Sequence, residues 1–151
     1  VGNLVVHSDL NCLTALQYAV EVLKVEHVLV VGHYGCGGVQ AVVEQRRTGL
    51  AENWLRHLED VARKHANRLD DIGDLGHRAS RLCELNVIEQ VSNVCRTTTV
   101  RRAWERGQRV EVHGLVYGLG DGLLRRVGAS VGGLEARDSG YVEALSALGV
   151  P

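Results

Sequence analysis

The sequence predicts an α/β protein whose mainly parallel β-sheet is flanked by helices. The first observation is an apolar run, Val28 to Val31, which has the length of a strand and is apolar on both faces, as in a parallel strand buried between helix layers. The second is a glycine-rich loop and a helix-forming segment directly after that run. The third is an alternating segment, Gln108 to Tyr117, which predicts a second strand. We expect Val28 to Val31 to be a central strand.

A third strand is expected at the edge of this sheet. Asp121-Gly122 is a turn signal, and Leu123 to Val127 after it has the composition to return in antiparallel sense. The first residues, Val1 to Val6, indicate either the tail of a strand or a crossing loop.

Apolar residues that recur every three or four positions predict the helices. Ser8, Asp9 and Asn11 are alternative N-caps for the first of them. Thr97 to Thr99 is a poor helix interior and is expected to separate two helices. The predicted segments are Leu10 to Lys24, Val39 to Glu44 with an end near Thr48 and Gly49, Glu52 to Leu69, Arg78 to Cys95, Val100 to a stop at Gly107, and Leu134 to Leu148.

Length and composition favour one globular domain over residues 1–151. The 151 residues are 45% hydrophobic, and 17 Lys and Arg balance 18 Asp and Glu to a net charge of -1. We expect no nucleic-acid partner, because no basic run exceeds an Arg-Arg pair. No apolar stretch approaches the roughly 20 residues of a membrane span. A cytoplasmic protein is therefore expected. The chain has no Met and begins with Val1, which predicts that the domain is incomplete at its N-terminus.

His33 and Cys36 are the candidate metal ligands. They follow the apolar strand among Gly32, Gly35, Gly37 and Gly38, in the loop at the carboxyl end of the strand where α/β proteins bind ligands. Two intervening residues let an imidazole and a thiol reach one tetrahedral zinc ion. Cys36 also precedes a helix, whose N-terminus favours the thiolate. A bare H-x-x-C is more often a half-buried Cys beside a His, but the glycines and the strand-loop-helix order favour metal.

Three other cysteines and two histidines are not expected to bind a metal ion. Cys12, Cys83 and Cys95 lie in apolar helical surroundings and are expected to pack in the core. His57 and His65 lie on one predicted helix, and both are expected to be exposed to solvent. The aspartates of Asp70 to Gly76 lack the pattern of a calcium loop.

Five segments resemble the β-class carbonic anhydrases, and in particular the bacterial members. They are VVGHYGCGGVQA, VVHSDLNCLTALQYAV, LCELNVIEQVSNV, AWERGQ and HGLVYGLGDGLL, and the likeness extends to about Arg126. The resemblance implies a zinc enzyme that interconverts carbon dioxide and bicarbonate, works as a homodimer or homotetramer, and favours alkaline pH because thiolate ligands donate charge to zinc.

The resemblance also implies roles for particular residues. His33 and Cys36 match two zinc ligands, and Gly37 matches a glycine whose backbone amide contacts substrate. Tyr117 matches a tyrosine of a non-catalytic bicarbonate pocket, although an ordinary half-buried tyrosine is an equal alternative.

One half of the family's site has no counterpart in this sequence. The C-x-D-S-R loop, which brings another Cys ligand and an Asp-Arg dyad, is absent, so the catalytic residues stay unknown. His7, Asp9 and Cys12 are the nearby substitutes, and the family pattern assigns none of them to zinc. Two alternatives to an enzyme therefore remain, a non-catalytic anion-binding protein and a degenerate subunit kept for assembly.

Overall fold

A three-stranded sheet and the helices packed on it make up the fold in the computed structural model, which describes residues 3–128 and 130–149. In chain order the helices and strands are α1 (Leu10–Gln17), β1 (His27–His33), α2 (Gly37–Val43), α3 (Ala51–Lys64), α4 (Leu75–Arg96), α5 (Thr98–Glu105), β2 (Glu111–Tyr117), β3 (Leu124–Arg126) and α6 (Ala136–Ala147). A π-helical turn, Tyr18–Val22, extends α1, and a 3₁₀ turn, Ala66–Arg68, follows α3.

The strand order is β1-β2-β3. β1 and β2 are parallel, with a register that runs from His27 opposite Glu111 to His33 opposite Tyr117. β3 is antiparallel to β2 and pairs through Leu124 with Tyr117. The predicted fold class, a mainly parallel sheet with helices and an antiparallel edge strand, is confirmed.

The prediction that the first strand is central and buried on both faces is wrong for the described residues. Val30 and Gly32 are buried, but Leu29 is 57% exposed and Val31 is 39% exposed. β1 is an edge strand of the described sheet, and β2 lies between its two neighbours. The physical reason is that the helices of the described residues cover the Val30 face and leave the Leu29 face open.

Helix α4 is the centre of the core. It contacts β1, β2, α2, α3, α5 and α6, and residues on nearly every side of it are buried. Close approach to the sheet depends on two glycines. A Cβ at Gly32 would lie 2.8 Å from Val87 Cγ2, and one at Gly114 would lie 3.0 Å from Val87 Cγ1. Small residues at these two positions let the helix pack directly on the backbone of β1 and β2.

Polar residues of α4 hold the first described segment against the helix. The Val5 N–H donates to Gln90 Oε1 at 2.8 Å, and Asn93 Nδ2 donates to the Val5 carbonyl at 3.2 Å. Asn86 Nδ2 donates to Asn3 Oδ1 at 2.8 Å. Residues 3–6 form no strand and cross over α4, as the crossing-loop alternative predicted. The other residues of that prediction, Val1 and Gly2, lie outside the described part of the chain.

Helix boundaries follow the capping residues. Asp9 caps α1, because its carboxylate accepts from the N–H groups of Asn11 and Cys12. Asp74 caps α4, which therefore begins three residues before the predicted start. Thr97 ends α4 and caps α5 with its hydroxyl, so the predicted interruption is confirmed at that residue.

Two predictions about single residues need correction. His65 is only 4% exposed, and its ring donates a hydrogen bond to the buried Glu89 Oε1 at 2.7 Å, so the predicted exposure of His65 is wrong. His57 is exposed as predicted. Cys12 is half-buried at the start of α1 and lies outside the core, because the residues around it face solvent. Cys83 and Cys95 are core residues as predicted. Within the described residues, no helix combines the length and hydropathy needed to cross a bilayer.

Candidate metal centre

The candidate site lies at the carboxyl end of β1. His33 is the last residue of this strand, and Cys36 is the N-cap residue directly before α2. Both line one cavity of about 290 Å³, which brings the two predicted ligands together as their spacing suggested. The other residues that line this cavity are Asn3, Val31, Gly32, Val39 and Cys83.

The backbone between the two ligands makes a tight turn. Gly35 has a φ of 73°, a conformation that glycine adopts without strain. Cys36 returns to extended backbone, with φ -64° and ψ 119°, and Gly37 is the first residue of α2. Gly37 is exposed, and its N–H is one of the first helical N–H groups, which have no carbonyl partner within the helix. This location suits the predicted contact between its amide and a substrate oxygen.

The His33 ring is oriented by a backbone carbonyl. Its Nδ1 lies 3.1 Å from the Tyr34 carbonyl oxygen. Because a carbonyl oxygen can only accept, this hydrogen bond requires the proton on Nδ1 and leaves the lone pair of Nε2 free. Metal-binding histidines in proteins commonly have one nitrogen fixed in this manner. The imidazole is therefore in the tautomer that a metal ion needs.

Cys83 supports this turn from the core side. Its thiol donates to the His33 carbonyl at 3.1 Å. Burial, and next the nearby Cys36, raise the pKa of the Cys83 thiol to about 12. A thiol with this pKa is neutral, and the thiolate is the form that binds metals. Cys83 therefore positions the end of β1. It is also a buried core residue, as predicted.

Asn3 adds a hydrogen-bond donor that the sequence did not reveal. Its Nδ2 is buried and has no hydrogen-bond partner in the described part of the chain, while its Oδ1 accepts from Asn86. An unpaired buried N–H costs roughly 1–3 kcal/mol, so such a group is rare unless a bound molecule pairs with it. Asn3 is one of the residues that line the His33 and Cys36 cavity.

Tyr117 lies beside the site on the neighbouring strand. It is opposite His33 in the β1–β2 register, and its carbonyl accepts from the Tyr34 N–H at 3.0 Å. Its place in a bicarbonate pocket stays a prediction, which the bicarbonate dependence of a Tyr117→Phe variant would test. His7, Asp9 and Cys12 are absent from the described cavity lining.

The described residues of the cavity provide some of the ligands that a zinc ion needs. One imidazole nitrogen and one thiol from neighbouring positions are suitable ligands, and structural or catalytic zinc sites use three or four. The described residues of the cavity supply these two and the neutral thiol of Cys83.

Comparison with known proteins identifies the family. A family model described as carbonic anhydrase matches residues 1–124 of the chain. The chain belongs to the β-class carbonic anhydrases. Among solved structures of this class, a Coccomyxa β-carbonic anhydrase in complex with acetazolamide is 38% identical, with a TM-score of 0.86, and the match covers 92% of this chain and 63% of that one.

Two further relatives show the breadth of this class. Carbonic anhydrase of Emericella nidulans is 43% identical over 136 residues, which are 90% of this chain and 60% of that protein. Carbonic anhydrase 1 of Escherichia coli O157:H7 is 30% identical and covers 73% of this chain and 50% of that protein. Because fungal and bacterial carbonic anhydrases both match, the comparisons support the β-class as a whole. The chain spans between half and two thirds of the length of these relatives.

Proposed function

We propose that this chain carries part of the active site of a zinc-dependent enzyme that interconverts carbon dioxide and bicarbonate. The observation that carries the proposal is that one cavity is lined by His33, by Cys36 and by Asn3, whose Nδ2 has no hydrogen-bond partner among the described residues. A zinc ion held by His33 and Cys36 would supply a Lewis acid that lowers the pKa of a water molecule.

The other residues of the cavity suit the two substrates. Val31 and Val39 give the cavity apolar walls, which favour carbon dioxide, a small molecule without a dipole. The Asn3 amide and the Gly37 N–H are donors, which favour the oxygens of bicarbonate. The cavity therefore offers an apolar surface and the Asn3 donor, and the Gly37 N–H follows directly after Cys36 in the chain.

We also infer that the protein works as a homo-oligomer, either a dimer or a tetramer. A structure described as one of two tetrameric β-carbonic anhydrases, from Sordaria macrospora, is 35% identical with a TM-score of 0.77, and covers 85% of this chain and 65% of that one. The open face of β1, with Leu29 57% exposed and Val31 39% exposed, supports association.

The first experiment replaces Cys36 with Ala in the full protein. We expect zinc content to fall by about one equivalent per chain, and the rate of carbon dioxide hydration to fall by at least about 100-fold, because a zinc site that loses a thiolate keeps too few ligands. Zinc is measured by mass spectrometry of the digested protein, and hydration by stopped flow with a pH indicator.

Cys12→Ala is the matched control, since Cys12 is also a half-buried free cysteine and lies outside the cavity. This variant should keep both zinc and activity. Unchanged zinc and activity in Cys36→Ala would contradict the assignment. Bicarbonate binding without measurable hydration in the wild-type protein would instead support the anion-binding alternative, for which the same N–H donors are suitable.

A further inference from the structure

A second group of ligand-type side chains lies at the opposite end of the sheet. His27 is the first residue of β1, and Glu111 and His113 are the first and third residues of β2. The parallel register places His27 opposite Glu111, and the alternation of strand residues puts all three side chains on the open face of the sheet. His33 is at the other end of β1, about 20 Å away at ~3.3 Å per residue. The two groups are therefore separate.

The three ligand atoms form a compact triangle. His27 Nδ1 lies 3.0 Å from His113 Nε2, in a hydrogen bond that a bound metal ion would replace, and Glu111 Oε2 lies 4.0 Å from the first nitrogen and 3.9 Å from the second. A point equidistant from three atoms with these separations lies about 2.1 Å from each, which is the length of a bond from zinc to nitrogen or carboxylate oxygen. The triangle therefore has the size of a metal site before any side chain moves.

A hydrogen bond with Ser130 orients the ring of His113. Its Nδ1 lies 2.7 Å from Ser130 Oγ, and its side chain is only 11% exposed. With Nδ1 bound to the serine hydroxyl, Nε2 faces the centre of the triangle. A hydrogen-bonded ring nitrogen opposite the ligand nitrogen is typical of metal-binding histidines.

The charges around the triangle leave one carboxylate oxygen available. Arg109 Nη2 lies 3.7 Å from Glu111 Oε1, and Arg109 Nη1 lies 4.0 Å from Glu26 Oε2. Arg109 thus faces one oxygen of Glu111, while the other oxygen faces the two histidines. Arg126 is the second cation near His113 and weakly opposes a further positive charge. Glu26 and Glu111 offset the charges of the two arginines.

We propose that His27, Glu111 and His113 form a second metal site, which binds a divalent transition metal of the zinc type. Two imidazoles and one carboxylate are ligands that zinc shares with cobalt and nickel, and they are unsuited to calcium or magnesium. Three protein ligands leave a further position for water on the side of His27, whose side chain is 53% exposed. The bound ion joins the first residues of β1 and β2, and it does so independently of the site at His33.

The test measures zinc binding in a Cys36→Ala background, which removes the proposed zinc site at the other end of β1. Calorimetric titration with Zn²⁺ alone should show one equivalent bound in this parent protein. Adding His27→Ala or Glu111→Gln should weaken that binding by at least about tenfold, because loss of a direct ligand costs no less than loss of its supporting residue. His27 and Glu111 are both partly exposed, so neither change disturbs the core.

His77→Ala is the matched control. His77 is exposed and lies beside Asp74, as His27 lies beside Glu111, but within the described residues it belongs to no group of three ligand-type side chains. This variant should titrate like the parent. A second readout is the imidazole NMR signals, of which those of His27 and His113 should shift on addition of zinc. Equal zinc affinity in the parent and in both site variants, or no shift of these two signals, would overturn the proposal.

Discussion

Glu89 is the buried charge on which three helices converge. Its carboxylate accepts from His65 at 2.7 Å, from Lys64 at 2.9 Å and from the Tyr141 hydroxyl at 2.5 Å. Lys64 belongs to α3, Glu89 to α4 and Tyr141 to α6. Burial alone would raise the pKa of Glu89, but the hydrogen bonds from the three partners outweigh burial and lower the pKa to about 2. The ionised carboxylate therefore stabilises the folded state.

The pH dependence of stability follows from the sign of this shift. Because the folded pKa lies below the ordinary value of 4.5, the stabilisation is fully present above pH 4.5 and is lost as the pH falls toward 2. Its size is up to about 3 kcal/mol, at ~1.4 kcal/mol for each pKa unit. We expect Glu89→Gln to reduce the free energy of unfolding at pH 7 and to flatten its decline between pH 4.5 and 2, as measured by urea denaturation.

Glu143→Gln provides the comparison, since Glu143 is exposed on α6. Its unfolding curve should follow the wild-type protein at each pH. If the Glu89→Gln variant kept the steep wild-type decline below pH 4.5, the stabilisation would have to come from other carboxylates.

Single residues were predictable where their partners are close in sequence. His33 and Cys36 are three positions apart, and the strand-loop-helix pattern was enough to bring them together. Asn3 and Cys83 reach the same cavity from segments that are 80 residues apart, and no local pattern indicates such a meeting. His65 was misplaced for the same reason, because its partner Glu89 lies on another helix and a lone histidine on an amphipathic helix carries no sign of burial.

At the scale of the elements, the sequence predicts that α4 is a helix, but it predicts only one of the sides on which this helix is buried. Its apolar stripe predicted the core face, and Asp74 and Thr97 set its ends. Asn86, Gln90 and Asn93 are spaced like a second stripe, and they bind residues 3–7. Because polar residues at helical spacing usually indicate a solvated face, buried amides could not be predicted there.

The contact between α4 and β2 gives a prediction at this scale. Replacing Gly114 with Ala would place a Cβ 2.8 Å from the Val127 carbonyl oxygen and 3.0 Å from Val87 Cγ1. Val87 lies on α4 and Val127 directly follows β3, so α4 or the end of β3 has to move. We expect the free energy of unfolding to fall by about 1–3 kcal/mol, the usual cost of an overpacked core, as measured by thermal and urea denaturation.

Gly133→Ala is the control for this substitution, because a Cβ at Gly133 meets nothing within 4 Å. That variant should change stability by less than about 0.5 kcal/mol, as surface substitutions usually do. Equal stability of the two variants would show that α4 can move away from the strand without cost.

At the scale of the whole molecule, the sheet has one covered and one open face. The order of strands, helices and their approximate lengths was predictable from periodicity and from turn residues. The exposure of Leu29 and Val31 was not, because a continuous apolar run looks the same whether helices cover one face of it or two. The contact between His27 and His113 could not be predicted either, because it depends on the register of two strands that are far apart in sequence.

The proposed oligomer can be tested on this open face. We expect Leu29→Lys to shift the protein toward smaller species in sedimentation velocity, because a lysine charge in a buried interface costs several kcal/mol unless it is paired. Leu50→Lys is the control, since Leu50 is 86% exposed in the connection before α3. An unchanged size distribution in Leu29→Lys would place the interface on another surface.

The parallel pairing of β1 with β2 also limits when the sheet forms during synthesis. His27 and His113 are 86 residues apart in the chain, although their rings touch. At ~5–20 residues per second, a ribosome needs roughly 4–17 s to reach the second histidine after the first. During that interval the helices from α2 to α5 are made, while β1 is not yet paired with β2. Closing so long a loop is what makes parallel sheets slow to fold. The full pairing of β1 with β2 therefore waits until translation reaches Tyr117.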